Sequence, residues 1–221
     1  LFFLGLLPPV AVARADFLAC ALAPLAQWLL LSDKLVFCWF SVCFPLVMAD
    51  SAALKPTFQQ SMEITAQWLT LWENGEISDE VLGDRVAELV ASRDGGRGFF
   101  VMALAGDCPL MDRLPDPLVL SLRLAGDGVV DLTVRNLAMS TAMALHHQRR
   151  GDEGQQGGSE RVQLRCTELL RLLEPAAVKK RLEVLLAATA GQGADVAFLD
   201  RWGYDADQRA AIAQAVVAVA D

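Results

Sequence analysis

Histidine is almost missing from this chain: there are two, His146 and His147, side by side. Neighbouring side chains on a helix point about 100° apart, so the pair cannot close on one metal ion. Neither follows a Glu at the spacing of carboxylate-bridged di-iron bundles, and a catalytic triad has nowhere else to find its base. Beside Arg149 and Arg150 they read as the positive end of a helix, where the dipole favours cations. Docking of an anion or a partner is the functional alternative.

Cysteine is thinly used. Three of the five (Cys20, Cys38, Cys43) fall in the first 47 residues, which leaves Cys108 and Cys166 far apart and without CxxC spacing. A disulfide framework or a zinc site needs denser usage, so a reducing, cytoplasmic setting fits. Cys166 sits among leucines at helical spacing and reads as a small buried hydrophobe. No phosphate-cradling GxxxxGK[ST] loop, no GxGxxG after a strand, no HExxH and no GxSxG elbow occurs. No cofactor and no metal is expected.

Basic charge is also short. The net charge is −8 and the pI about 4.8, which excludes nucleic acid as a partner, since its binding depends on Lys and Arg neutralising phosphates. It also disfavours an electrostatic hold on anionic lipid. A protein partner with a neutral or basic surface suits the charge better.

Residues 1–47 are a different composition from the rest. They hold only four charges, Arg14, Asp16, Asp33 and Lys34, and no methionine before Met48. One reading is an upstream extension translated in frame, with Met48 as the start. A second is a membrane element over 17–48, although Pro24 and Pro45 interrupt two apolar runs that are each shorter than the roughly 20 residues of a spanning helix. A third is a secretory signal, with Val47-Met48-Ala49 at the cleavage point. A membrane contact is expected only if this leader is part of the protein.

Residues 48–221 read as one all-α domain of roughly seven to nine helices. Pro56-Thr57 opens an apolar series at Phe58, Met62, Leu69 and Trp72 that Asn74-Gly75 ends. Ser78 caps a second helix with Asp79 and Glu80 in its first turn, and Gly95, Gly96 and Gly98 break it. FFVMAL at 99–104 is taken as helix because no second strand exists for it to pair with. Asp116-Pro117 starts a short helix through Leu124. The stretch 128–147 is apolar over most of its circumference, with Val130, Val134, Leu137, Thr141 and Leu145 on one stripe and Val129, Leu132, Met139 and Met143 on another. Such a helix belongs at the centre of the fold.

RGDEGQQGGS at 150–159 has four glycines and no apolar side chain, so it reads as a mobile loop after which Ser159 caps the next helix. Glu174-Pro175 opens another, with Val178, Leu182, Leu185 and Leu186 inward. A short helix from Val196 closes at Gly203, and Asp205 with Gln208 forms a capping box before a last Ala/Val-rich helix.

Two clusters stand out as candidate sites. Asp131, Arg135, Asn136 and Ser140 are polar residues midway along the central helix. They form either a satisfied internal network or a pocket for a small ligand, because polar groups are not buried without partners. Arg201, Trp202 and Tyr204 sit at a helix-to-helix turn. They make either a packed corner or a protein contact, Trp, Tyr and Arg being the usual carriers of binding energy.

Three segments carry a resemblance: Gly98-Phe99-Phe100-Val101 on to Gly106-Asp107, residues 136–143 (NLAMSTAM), and residues 198–205 (FLDRWGYD). Together they resemble a family of small conserved cyanobacterial proteins, the similarity starting near Met48. The resemblance implies a photosynthetic bacterial cytoplasm and a housekeeping role at or near the thylakoid, and brings no activity with it. The preferred reading is a non-enzymatic helical interaction or accessory protein. The competitor is a small-ligand binder or enzyme using the strip around Arg135 and Asn136.

Overall fold

A computed structural model describes residues 56–220. The expectations for the leader at 1–47 lie outside the described residues. Within them the chain forms α-helices joined by short turns, in the order α1 (Phe58–Glu73), α2 (Asp79–Val90), α3 (Arg93–Ala105), a 3₁₀ turn (Pro109–Asp112), α4 (Asp116–Leu124), α5 (Asp127–Arg150), α6 (Glu153–Leu172), α7 (Pro175–Thr189), α8 (Val196–Arg201) and α9 (Ala206–Ala218). The all-α expectation holds. Among the described residues no helix is long and apolar enough to cross a membrane.

Most helix starts are written locally. Thr57 accepts from the Gln60 amide while Gln60 reaches back to Thr57, and Asp205 and Gln208 do the same for α9. Each such capping box satisfies two backbone N–H groups that a helix leaves orphaned. Ser78 accepts from the Val81 amide, as expected.

Two of the expected helix boundaries are overturned, both at glycines. Gly95, Gly96 and Gly98 do not separate helices; they lie inside α3, which Ser92 starts by accepting from the Gly95 amide. They are glycine because other elements come close. A Cβ on Gly98 would sit 2.5 Å from Ser61 Cβ on α1, and one on Gly96 would sit 2.9 Å from a Leu132 methyl on α5. The second is the loop expected over 150–159. The chain turns within Gly151 and Asp152 and is helical from Glu153. Gly151 takes φ 68°, closing α5 in the left-handed conformation that glycine adopts without strain. Asp152 then accepts from the Gln155 amide at 3.1 Å, so the α6 cap is Asp152, and Ser159 is buried in the middle of the helix. Tertiary packing of the later apolar turns carries a weak helical start that composition alone disfavours.

α5 is central, as its pattern requires. It packs against α3, α6, α7 and α9, and Val129, Val130, Val134, Leu137, Ala138 and Ala142 are buried along it. Its hydroxyls are satisfied within the helix: Thr133 donates to Val129 O and Thr141 to Leu137 O, both at 2.8 Å. The first four helices form one layer through the α1–α3, α2–α3 and α2–α4 contacts, joined to the rest where α3 meets α5 and α6.

One buried charge organises that junction. Arg165 on α6 is 2% exposed. It donates to the carbonyls of Ala103, Leu104, Gly106 and Cys108 at 2.8–3.2 Å, and to both Asp112 oxygens at 2.7 and 2.6 Å. Three of those carbonyls close α3, where a helix has acceptors without intrahelical donors, so a cation there meets both the hydrogen-bonding need and the dipole. The guanidinium in turn holds the Asp112 carboxyl below the ordinary range.

Candidate functional site

The structure divides the polar strip into two unrelated pairs. Asp131 and Arg135, one turn apart, face α7 and α8. Arg135 Nε donates to Asp131 Oδ1 and Oδ2 at 3.1 and 3.0 Å, and its Nη2 donates to Asp195 Oδ1 at 3.3 Å. Arg181 on α7 closes the square: Nε donates to Asp131 Oδ1 at 2.7 Å, and Nη1 lies 2.6 Å from Asp195 Oδ2 in an ion-pair contact without hydrogen-bond geometry. The Phe198 ring lies 4.8 Å from the Arg135 guanidinium carbon. Two cations and two anions thus neutralise one another, with Asp195 the most buried member.

Asn136 and Ser140 take no part in this square. Their side chains donate to Leu132 O at 2.9 Å and Leu137 O at 3.1 Å, each a carbonyl of their own helix. Being one position on from Arg135, Asn136 points about 100° away from it. The four residues therefore do not converge on one volume.

At the other cluster Arg201 is exposed and Trp202 half-buried against the core. Tyr204 is buried, and that burial pushes its phenol well above the ordinary range. Of the three, Arg201 and the open edge of Trp202 are presented outward. The corner is held by Arg209, which donates to Tyr204 O at 3.0 Å and Asp200 Oδ1 at 2.7 Å.

The basic end of α5 is tied down as well. Arg149 bonds Asp205 and Asp207 at the start of α9, at 2.5 and 2.6 Å, and burial lowers the His147 pKa. Burial likewise raises both Cys108 and Cys166 above the ordinary thiol range, which favours the neutral thiol at these two positions.

What the sequence reading missed is an apolar face. A groove of about 540 Å³ opens between α7 and α9, lined by Leu173, Val178, Leu182, Leu186, Val216 and Val217, with Arg171, Lys179 and Glu183 among its charged borders. Leu173 is shared with a neighbouring hollow of about 320 Å³ bordered by Leu120, Leu124, Arg123, Asp127 and Glu174. Beside them stand apolar side chains turned to solvent: Leu124 is 80% exposed, Leu120 58%, Val217 53% and Leu186 38%. Leu186 was expected to point inward; the wall it would need is absent because the groove lies there. Arginine hydrogen bonds tie the corner together. Arg123 on α4 donates to Leu172 O, and Arg171 on α6 donates to Ala218 O at 2.8 Å and to Val219 O at the end of α9. The available signal was the run LVLSLRL at 118–124, which has more apolar side chains than a nine-residue helix can turn to one core.

A third cleft, between α5, α6 and α9, is bordered by Gln148, Gln156, Gln163 and Gln214 around an alanine floor. Its Gln156 amide is spent on Glu160 at 2.7 Å.

The chain belongs to the family described as uncharacterised conserved protein UCP020893, whose model matches residues 57–219. That span covers the helical domain from the α1 cap to the end of α9. No curated protein and no solved structure matches it.

Proposed function

We propose that this protein works by holding another protein surface, and that the contact is the apolar face formed by α4, the α6–α7 corner and α9. The observation that carries the reading is Leu124, 80% exposed at the border of a hollow that shares Leu173 with the apolar α7–α9 groove. Single exposed leucines need no explanation, but contiguous apolar patches of more than a few hundred Å² mark interaction sites. Leu120, Leu124, Leu172, Leu186 and Val217, at their exposures, sum to on the order of 400 Å² of apolar surface, the size of the largest patch on a typical monomer, which is often functional. At about 25 cal/mol per Å², covering it is worth roughly 10 kcal/mol. Association costs about 4–15 kcal/mol in lost freedom, so this face supports a reversible contact. The strip around Arg135 spends its charges internally and supports a ligand less well.

The test is crosslinking in cells, comparing the wild type with the Leu120→Asp/Leu124→Asp double variant. The wild type is expected to give protein crosslinks mapping to Lys179 and Lys180, lost in the variant while its unfolding temperature stays within a few degrees. Crosslinks that survive the substitutions, or that map to the Arg201–Trp202 corner, refute the reading.

From the resemblance of the three segments we take the host to be a photosynthetic bacterium and the compartment its cytoplasm. Recovery of the protein only in the membrane pellet of such cells would contradict this.

A further inference from the structure

We infer that the partner seated on this face is a second copy of the same chain, related by a two-fold axis near Leu172 and Leu173. The inference rests on the proposed use of that face for protein contact, and adds what occupies it. A two-fold contact must be self-complementary, each copy offering what the other receives. This face has both halves. Leu120 and Leu124 on α4, 58% and 80% exposed, project as a ridge along the edge of the smaller hollow, and the α7–α9 groove beside it is concave and apolar. Ridge and groove meet at Leu173, which lines both hollows. Rotation about that point places the ridge of each copy in the groove of the other.

The charges at the two halves fit the same arrangement. The groove is bordered by two cations and one anion, Arg171, Lys179 and Glu183. The hollow that the ridge edges is lined by one cation and two anions, Arg123, Asp127 and Glu174. Docked ridge to groove, a net positive rim faces a net negative one in both halves. Over the rest of a chain of net charge −8, like charges oppose self-association, so the balanced face is where two copies can meet. The area agrees too. A standard interface buries about 800 Å² per partner, somewhat over half of it apolar, which is on the order of the 400 Å² of apolar surface available here.

Sedimentation velocity of the full chain from 1 to 100 µM, at physiological salt, tests this. The wild type is expected to move from monomer to dimer across the range. Leu124→Asp on the ridge and Val217→Asp in the groove should each weaken the dimer at least tenfold; both sites are more than half exposed, so the fold is not at stake. Lys179→Glu should weaken it as well, and mixing that variant with Glu174→Lys should restore association in the mixture alone. A wild type that stays monomeric, or a dimer that ridge and groove substitutions leave intact, overturns the second-copy inference. A monomer that still crosslinks to a different protein through Lys179 overturns it too, while leaving the proposed contact face standing. If neither self-association nor any crosslink responds to Leu124→Asp, both fall.

Discussion

Helices in the two halves of this domain are joined by different means. From α1 to α4 they meet through glycine. Gly98 admits α1 against α3, and Gly83 lets α2 lie on the first turn of α4, where a Cβ would stand 3.0 Å from Pro117 O. Apart from the links to Arg165 and Arg161 on α6, the one ion pair there among the described residues, Arg97–Asp94, is exposed and lies within a single helix. From α5 to α9 the joints are arginines: Arg135 and Arg181 on Asp131 and Asp195, Arg149 on Asp205 and Asp207, Arg171 on the end of α9. Glycine joints depend on close contact, which a single added carbon spoils. Arginine joints depend on partners, and their weight depends on how far each is removed from water.

Arg165 belongs to both schemes, and its loss should have the largest effect. Arg165→Ala leaves four buried or half-buried carbonyls and Asp112 without their donor, at an expected cost of about 3–5 kcal/mol by denaturant unfolding. A loss under about 1 kcal/mol would mean that the junction between the halves is held by apolar packing alone. The same bond has a pH signature. Arg165 depresses the Asp112 carboxyl, so its folded pKa lies below the unfolded value of about 3.9. The stabilisation is then complete above that unfolded value and disappears as the pH falls through the folded one. Asp112→Asn should flatten that part of the acid limb and leave the neutral-to-basic range parallel to the wild type.

Arg165 also shows where reading the sequence stops. It falls at the helical spacing of Val162, Cys166 and Leu169, inside an apolar stripe, yet nothing local says that its acceptors are the carbonyls closing α3. The caps at Ser78 and Asp205 were legible because donor and acceptor are three residues apart. The central place of α5 was legible because an all-round apolar helix has few alternatives. The glycines of α3 were misread as breakers, since the reason for each is the helix opposite it. The strip was half legible: helical spacing pairs Asp131 with Arg135 and Asn136 with Ser140, but sets the two pairs on different faces. Asp195 and Arg181, which complete the charge square, come from other helices. The apolar face was missed because periodicity says that Leu186 is apolar and does not say whether a neighbour covers it.

Gly98→Ala is the next largest test and addresses the glycine half directly. In an open helix the change would stabilise, since alanine is the better helix former by about 0.8–1 kcal/mol. Here the new carbon stands 2.5 Å from Ser61 Cβ and 3.0 Å from Phe58 O, and α1 must move. A net destabilisation of about 1–3 kcal/mol is expected, the usual cost of overpacking. An unchanged midpoint would show that α1 yields cheaply and that the contact is not a fixed joint.

Gly157→Ala, the smallest effect, should have the opposite sign. Gly157 is exposed in α6 and a Cβ there meets nothing within 4 Å. With no contact to spoil, the helical preference alone acts, and the variant should gain about 0.5–1 kcal/mol, read as a higher urea midpoint at constant slope. The sign separates two descriptions of residues 153–159. If they are the first two turns of a helix capped by Asp152, alanine helps. If they were an irregular loop, removing a glycine would leave the midpoint where it is or lower it. Opposite responses at Gly98 and Gly157 would establish that glycine is a joint in one half of the molecule and a bystander in the other.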